Sequence, residues 1–131
     1  MKIVILSTLA IILGDQISKQ LVLHYQLPYS MNSGIAFSLP LNNTLALITS
    51  IVVIMGFGIF FCQQKTKSNL NNIAFGMIIG GAIGNIIDRL LHGAVIDFIK
   101  IPYWPTFNVA DAAITIGVIL LIGGQSRKSK I

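Results

Sequence analysis

Long apolar stretches separated by short polar ones dominate the chain. Residues 3–23, 44–62, 72–91 and 107–124 each approach the length of about 20 mostly apolar residues that a helix needs to cross a bilayer. The first is interrupted by Asp15 and Lys19, and the second carries no charge. The third ends on Asp88 and Arg89, and the fourth has Asp111 near its start. The pattern predicts an all-α membrane protein of four transmembrane helices in a single integral domain over residues 1–131. Within the third stretch, Gly76, Gly80 and Gly84 recur at four-residue spacing, with Gly81 and Ala82 widening the stripe. Small residues on one helical face let backbones approach closely in lipid.

The polar gaps set an orientation. Lys2, Lys65, Lys67, Arg127, Lys128 and Lys130 fall on one side, while residues 24–43 carry no Lys or Arg and 92–106 carry only Lys100. The positive-inside rule then puts both termini and residues 63–71 in the cytoplasm, with the other two loops outside. Lys2 followed by an apolar run resembles a signal peptide, but no small-x-small cleavage site follows it. The first stretch is therefore expected to stay as a helix.

Composition narrows the class. Hydrophobic residues make up 54% and charged residues 10%, against about 25% charged in an average soluble domain. A disordered or collagen-like chain is excluded, and a soluble globular domain fits poorly. The net charge of +5 does not form a basic face beside aromatics, so no nucleic acid partner is expected. Cys62 stands alone, which excludes an internal disulfide and a cysteine metal cluster.

The four acidic residues are all Asp, and all fall in the outer half of the predicted topology. Asp15 lies about 18 Å up the first helix from Ile3, and Asp88 about 24 Å up the third. A charge at bilayer depth costs at least about 2.5–3.5 kcal/mol and usually marks a partner or a function. Asp15 and Lys19 share a face at i,i+4, Asn85 and Arg89 share another, and Asn85 and Asp88 are neighbours at i,i+3. Asp15–Lys19 and Asp88/Arg89 also read as ion pairs that only hold helices. Asn108 and Asp111 fit an N-cap and N3 pair, which alone explains Asn-x-x-Asp. The same helix terminus favours an ionised Asp111. Asp97 lies in a short β-branched and aromatic run, Val95–Ile101, that reads as a strand over the outer mouth. Two carboxylates meeting there would share a proton and supply both a general base and a general acid. The run Ile101–Pro102–Tyr103–Trp104–Pro105 reads as an interfacial belt in which Trp and Tyr anchor at headgroup level.

Other chemistries lack candidates. Only His24 and His92 are present, without a His-Glu-x-x-His pattern, and no Gly-x-Ser-x-Gly or phosphate loop occurs. What remains is an aspartyl hydrolase or a small four-helix proton-coupled exporter using one membrane acid such as Asp15. A non-enzymatic membrane subunit is the third possibility.

Five blocks in order resemble the lipoprotein signal peptidase (signal peptidase II) family. They are Asp15–Gln16–Ile17–Ser18–Lys19, Asn32–Ser33–Gly34–Ile35–Ala36–Phe37, the run from Gly80 to Arg89, Val95–Ile96–Asp97–Phe98, and Phe107–Asn108–Val109–Ala110–Asp111. Together they span residues 15–111. The resemblance implies an aspartyl endopeptidase that cleaves prolipoproteins before a diacylglyceryl-modified cysteine. It implies Asp97 and Asp111 as the catalytic pair. Asp15, Asn32, Gly34, Asn85, Arg89 and Asn108 match residues that hold substrate or the pair. It further implies no metal or cofactor, a monomer among membrane lipids, and the bacterial cytoplasmic membrane with the site on its outer side. The first outer loop and the Asp97–Asp111 interval are shorter than is usual in that family, which implies a reduced outer β-like cradle around Asn32–Phe37.

Overall fold

The computed structural model describes residues 1–34, 42–63 and 68–126. Four helices and two short strands follow one another as α1 (Lys2–His24), β1 (Ser30–Asn32), α2 (Asn43–Gln63), α3 (Asn69–His92), β2 (Val95–Asp97) and α4 (Val109–Ser126). The fold is mostly helical, as the apolar pattern predicts. Helices α1, α2 and α3 are long and apolar enough to cross a membrane, while the fourth apolar helix, Val109–Gly124, is shorter.

Two helix starts differ from the apolar reading because caps, not hydropathy, set them. Helix α3 begins at Asn69, where the sequence predicts residue 72, because the Ser68 side chain accepts from the Asn71 N–H at 3.1 Å. It stops at Gly93, whose left-handed φ of 73° closes the cap onto Arg89 O. Helix α4 starts at Val109, not 107, because Asn108 Oδ1 accepts from the Asp111 N–H at 2.9 Å.

Helix α3 is the centre. It packs against α1 and α4 most extensively and against α2 less so. Half of it is buried, against 11% of α1 and α2, whose apolar faces lie open to lipid. The glycine stripe explains the close approach. A Cβ on Gly80 would sit 2.7 Å from Thr8 O, and one on Gly117 of α4 would sit 2.7 Å from Ala74 O. The apolar core between α3 and α4 is Ala74, Ile78 and Leu121, with Phe57 of α2 against it.

At one end of the bundle, β1 and β2 pair antiparallel, with Ser30 opposite Asp97 and Asn32 opposite Val95. The expected strand at 95–101 is therefore shorter, ending at Asp97. An isolated bridge between Ile99 and Phe107 continues it as a hairpin-like loop. Its tip makes a turn in which Trp104 N–H donates to Ile101 O at 3.2 Å and Tyr103 takes a φ of 64°. The strand expected around Asn32–Phe37 lies at Ser30–Asn32, and positions 35–37 fall outside the described residues.

Because Gly80 has no slack toward α1, Gly80→Ala is expected to lower stability by about 1–3 kcal/mol through overpacking. Gly56→Ala, where an added Cβ meets nothing within 4 Å, serves as the neutral comparison. Thermal unfolding in detergent measures both.

Candidate active site

The polar residues of three helices and both strands converge at the end that carries the sheet. At their centre is Lys19, 1% exposed, between Asp15 and Asp88. Its ammonium lies 2.7 Å from Asp15 Oδ2 and 2.7 Å from Asp88 Oδ2. A third bond at 3.3 Å reaches Asn85 Oδ1. Three acceptors satisfy the three N–H groups of a lysine. Gln16 runs alongside, its amide donating to Asp88 Oδ1 at 3.0 Å, Asp15 Oδ2 at 3.2 Å and Gly84 O at 3.2 Å. A Cβ on Gly84 would lie 2.6 Å from Asp15 Oδ2, so the absent side chain makes room for this carboxylate.

The two carboxylates pass the constraint on. Asp15 Oδ1 accepts from the Ala110 N–H at 2.9 Å, capping the first turn of α4 from a different helix. Asp88 Oδ2 accepts from the Ile96 N–H at 3.0 Å, fixing β2 one residue before Asp97. The lysine cluster thus holds the backbone one residue before each of Asp97 and Asp111.

Those two residues are linked through a pair of asparagines. Asn108 Nδ2 donates to Asp97 Oδ1 at 2.7 Å and to Asn85 Oδ1 at 3.1 Å. Asn85 Nδ2 donates to Asp111 Oδ1 at 2.8 Å. Asn32 Nδ2 supplies a further donor to Asp97 Oδ2 at 3.1 Å, across the sheet. Asp97 is buried while Asp111 is partly open. Burial pushes the Asp97 carboxyl up to about 6. The Asn32 and Asn108 donors oppose the rise, and the neighbouring Asp111 charge adds to it.

Every site residue expected from the sequence is brought into this region. Asp15, Asn32, Asn85, Asn108, Asp97 and Asp111 belong to the network above. Gly34 donates its N–H to Asn32 Oδ1 at 3.0 Å, and its carbonyl accepts from Arg89 at 2.9 Å. Arg89 is buried and its Nε has no partner among the described residues.

One expectation is corrected. Asp88 and Arg89 do not pair with each other. Adjacent positions on a helix point about 100° apart, so Asp88 turns to Lys19 and Arg89 turns to Gly34. Sequence reasoning also missed Lys19 as the link between α1 and α3, and missed Gln16 altogether. The available signal was depth: a lone cation with two acids on facing small-residue helices. The capping expectation is met by half, because the Asp111 N–H uses Asn108 while its side chain goes to Asn85.

Comparison with known proteins follows the same lines. A family model described as signal peptidase (SPase) II matches residues 7–125. A lipoprotein signal peptidase of Syntrophomonas wolfei is 41% identical over 131 aligned residues, covering 88% of this chain and 87% of the relative. One from Chlorobium phaeobacteroides is 35% identical, covering 93% and 94%. A solved bacterial membrane enzyme superposes with a TM-score of 0.88 at 26% identity, covering 98% of this chain and 90% of that one.

Replacing Lys19 with Met should leave two buried carboxylates without a counter-charge. Breaking a buried pair in this way costs about 3–5 kcal/mol. The expected result is a large fall in unfolding temperature, or loss of folded protein, measured by thermal denaturation in detergent. Lys19→Met with wild-type stability would contradict the bridging role.

Proposed function

The chain belongs to the signal peptidase II family, and from this membership and the geometry above we propose an aspartyl endopeptidase that removes the signal peptide from lipid-modified prolipoproteins. The observation that supports the catalytic assignment is the Asp97–Asn108–Asn85–Asp111 chain of hydrogen bonds. It links the two carboxyl groups at the sheet-bearing end, one buried and one partly open.

The chemistry follows from that asymmetry. Asp97, whose pKa is raised, carries the shared proton. Asp111, at the N-terminus of α4, is the ionised partner. A water between them loses a proton to Asp111 as its oxygen attacks the scissile carbonyl. Asp97 donates a hydrogen bond to the carbonyl oxygen as that charge develops. Collapse breaks the C–N bond, and the proton held by the dyad goes to the leaving nitrogen. The products are a carboxylate on the signal peptide and a free amine on the lipidated cysteine.

Strand β1 offers the binding surface. Its partner β2 is wholly buried, whereas Ser30 and Met31 are exposed. An extended substrate backbone can therefore add along the open side of β1. Arg89 holds the Gly34 carbonyl at the end of this strand and orients the segment.

The membrane placement is part of the same proposal. Helix α4 is the fourth span, despite its shorter length. Both termini lie in the cytoplasm by the charge rule, with the dyad at the outer rim of the bacterial cytoplasmic membrane. The protein acts as a monomer with membrane lipids around it. The exporter alternative finds no support, since Asp15, the acid it needs free, is locked between Lys19 and the Ala110 N–H.

Asp97→Asn and Asp111→Asn should each reduce cleavage of a lipidated prolipoprotein by at least about a thousandfold, while the protein still inserts and folds. Asp88→Asn acts on folding before chemistry. Full activity of either dyad variant in a reconstituted assay would refute the assignment. The pH dependence carries a sign. The competent state keeps one proton on the pair, so kcat/KM should fall as pH rises through the raised value of about 6 for free Asp97. A profile level from pH 5 to 9 would contradict the one-proton dyad.

A further inference from the structure

The chain has three tyrosines and one tryptophan. All four, Tyr25, Tyr29, Tyr103 and Trp104, lie at the sheet-bearing end, and all are exposed. The far end carries phenylalanine instead, with Phe61 and Phe75 stacked at 4.0 Å. Tyr and Trp are apolar rings with one polar atom, and such side chains collect at headgroup level. Length arithmetic puts the sheet at that level. Helix α3 has 24 residues and is about 36 Å long. The hydrocarbon core it spans is about 30 Å thick. Its end at Gly93 therefore reaches the headgroup region, and β2 starts two residues beyond.

Tyr103 and Trp104 form the tip of the loop between β2 and α4. Their relative exposures are 106% and 59%, so Tyr103 lines no pocket. Tyr103 nevertheless holds a left-handed φ of 64°, a conformation that glycine normally fills. Nothing among the described residues packs on its ring to offset that strain. Lys100 is exposed at the stem and is the one Lys or Arg between positions 92 and 106. Amphipathic rings beside an ammonium suit a phospholipid headgroup layer.

The stem ties this tip to the site. The Phe98 and Ile99 N–H groups both donate to Phe107 O, at 3.0 and 2.8 Å, and the Phe107 N–H donates to Ile99 O at 3.0 Å. Asp97 directly precedes the stem and Asn108 directly follows it. We propose that the Tyr103–Trp104 tip is a foot resting among the phospholipid headgroups of the leaflet nearest the site, and that it holds Asp97 and Asn108 at a fixed height over that leaflet. The second half rests on the function proposed above. A lipid-tethered substrate keeps its scissile bond at a set distance from the same headgroups. A misplacement of about 1 Å can cost about a hundredfold in rate.

Trp104 is the sole tryptophan, so its emission reports this tip alone. The full chain is reconstituted in phosphatidylcholine–phosphatidylglycerol vesicles with acyl chains brominated either near the headgroup or near the terminal methyl. Expected is the strongest quenching from bromine near the headgroup, with weak quenching by aqueous acrylamide. Strong acrylamide quenching with no effect of either bromolipid overturns the foot, because the tip then stands in water. Stronger quenching from bromine near the terminal methyl also overturns it, because the tip then lies in hydrocarbon. These readings need no enzymatic activity and stand apart from the proposed function. Tyr103→Ser combined with Trp104→Ser should lower kcat/KM for a lipidated precursor in vesicles by about tenfold. Tyr103→Trp combined with Trp104→Tyr keeps the interfacial chemistry and should retain activity. In detergent micelles, which offer no fixed plane, the serine variant should match the wild type. Equal loss in vesicles and micelles overturns the height-setting role, because the loop then only shapes the site. Full activity of the serine variant in vesicles overturns it as well. Wild-type protein that cleaves in neither setting overturns the proposed function itself, and the quenching result alone then decides the foot.

Discussion

The structure depends on one buried cation. Lys19 cannot remain charged in an apolar bundle without acceptors for all three of its protons, and it finds them on Asp15, Asp88 and Asn85. Each of these partners makes a further bond. Asp15 spends its second oxygen on the Ala110 N–H, Asp88 Oδ2 accepts from the Ile96 N–H as well as from Lys19, and Asn85 reaches Asp111 with its amide nitrogen. Satisfying one ammonium therefore fixes the start of α4, the path of β2 and the rotamer of Asp111.

Close helix approach is the precondition. The link from Lys19 to α3 requires α1 and α3 to lie nearer than side chains normally permit. Gly80 meets the α1 backbone directly, and Gly84 leaves the volume that the Asp15 carboxylate occupies. The small-residue stripe therefore does two jobs along its length. Toward Gly76 it only packs. Toward Gly84 it creates the space in which a polar cluster replaces apolar contact.

Much of this was legible in the sequence, for physical reasons that also explain the failures. The Asn-x-x-Asp start of α4 and the Asp in a β-branched run are local patterns, and both Asp97 and Asp111 are where those patterns put them. The glycine stripe is periodic and equally readable. Asp88 was misjudged because its neighbour in sequence is Arg89, while its partner in space is a residue 69 positions away on α1. The start of α3 was missed by three residues because Ser68 sets it by a hydrogen bond that hydropathy does not register, whereas the Asn108 cap of α4 is part of the Asn-x-x-Asp pattern. The three-residue length of β2 escaped for a similar reason. Its end is fixed by Asp88 below and Asn32 across, not by its own propensity.

The arrangement separates two demands that a single surface meets poorly. Peptide hydrolysis needs water, a shared proton and oriented donors, all of which are ruinous in the middle of a bilayer. Recognition of a membrane-bound precursor needs contact deep in lipid, where polar groups give little. Here the polar network gathers at the sheet-bearing end, on α1, both strands, the last two turns of α3 and the first turn of α4, while the α2–α4 face beneath is wholly apolar. The two regions share α4, with Asp111, Thr115, Val118 and Ile122 on one stripe of it. Because α2 packs mainly on α3 and touches α4 little, that stripe can be approached sideways from lipid. The contacts that hold Asp97 and Asp111 lie among α1, α3, α4 and the strands, away from that face.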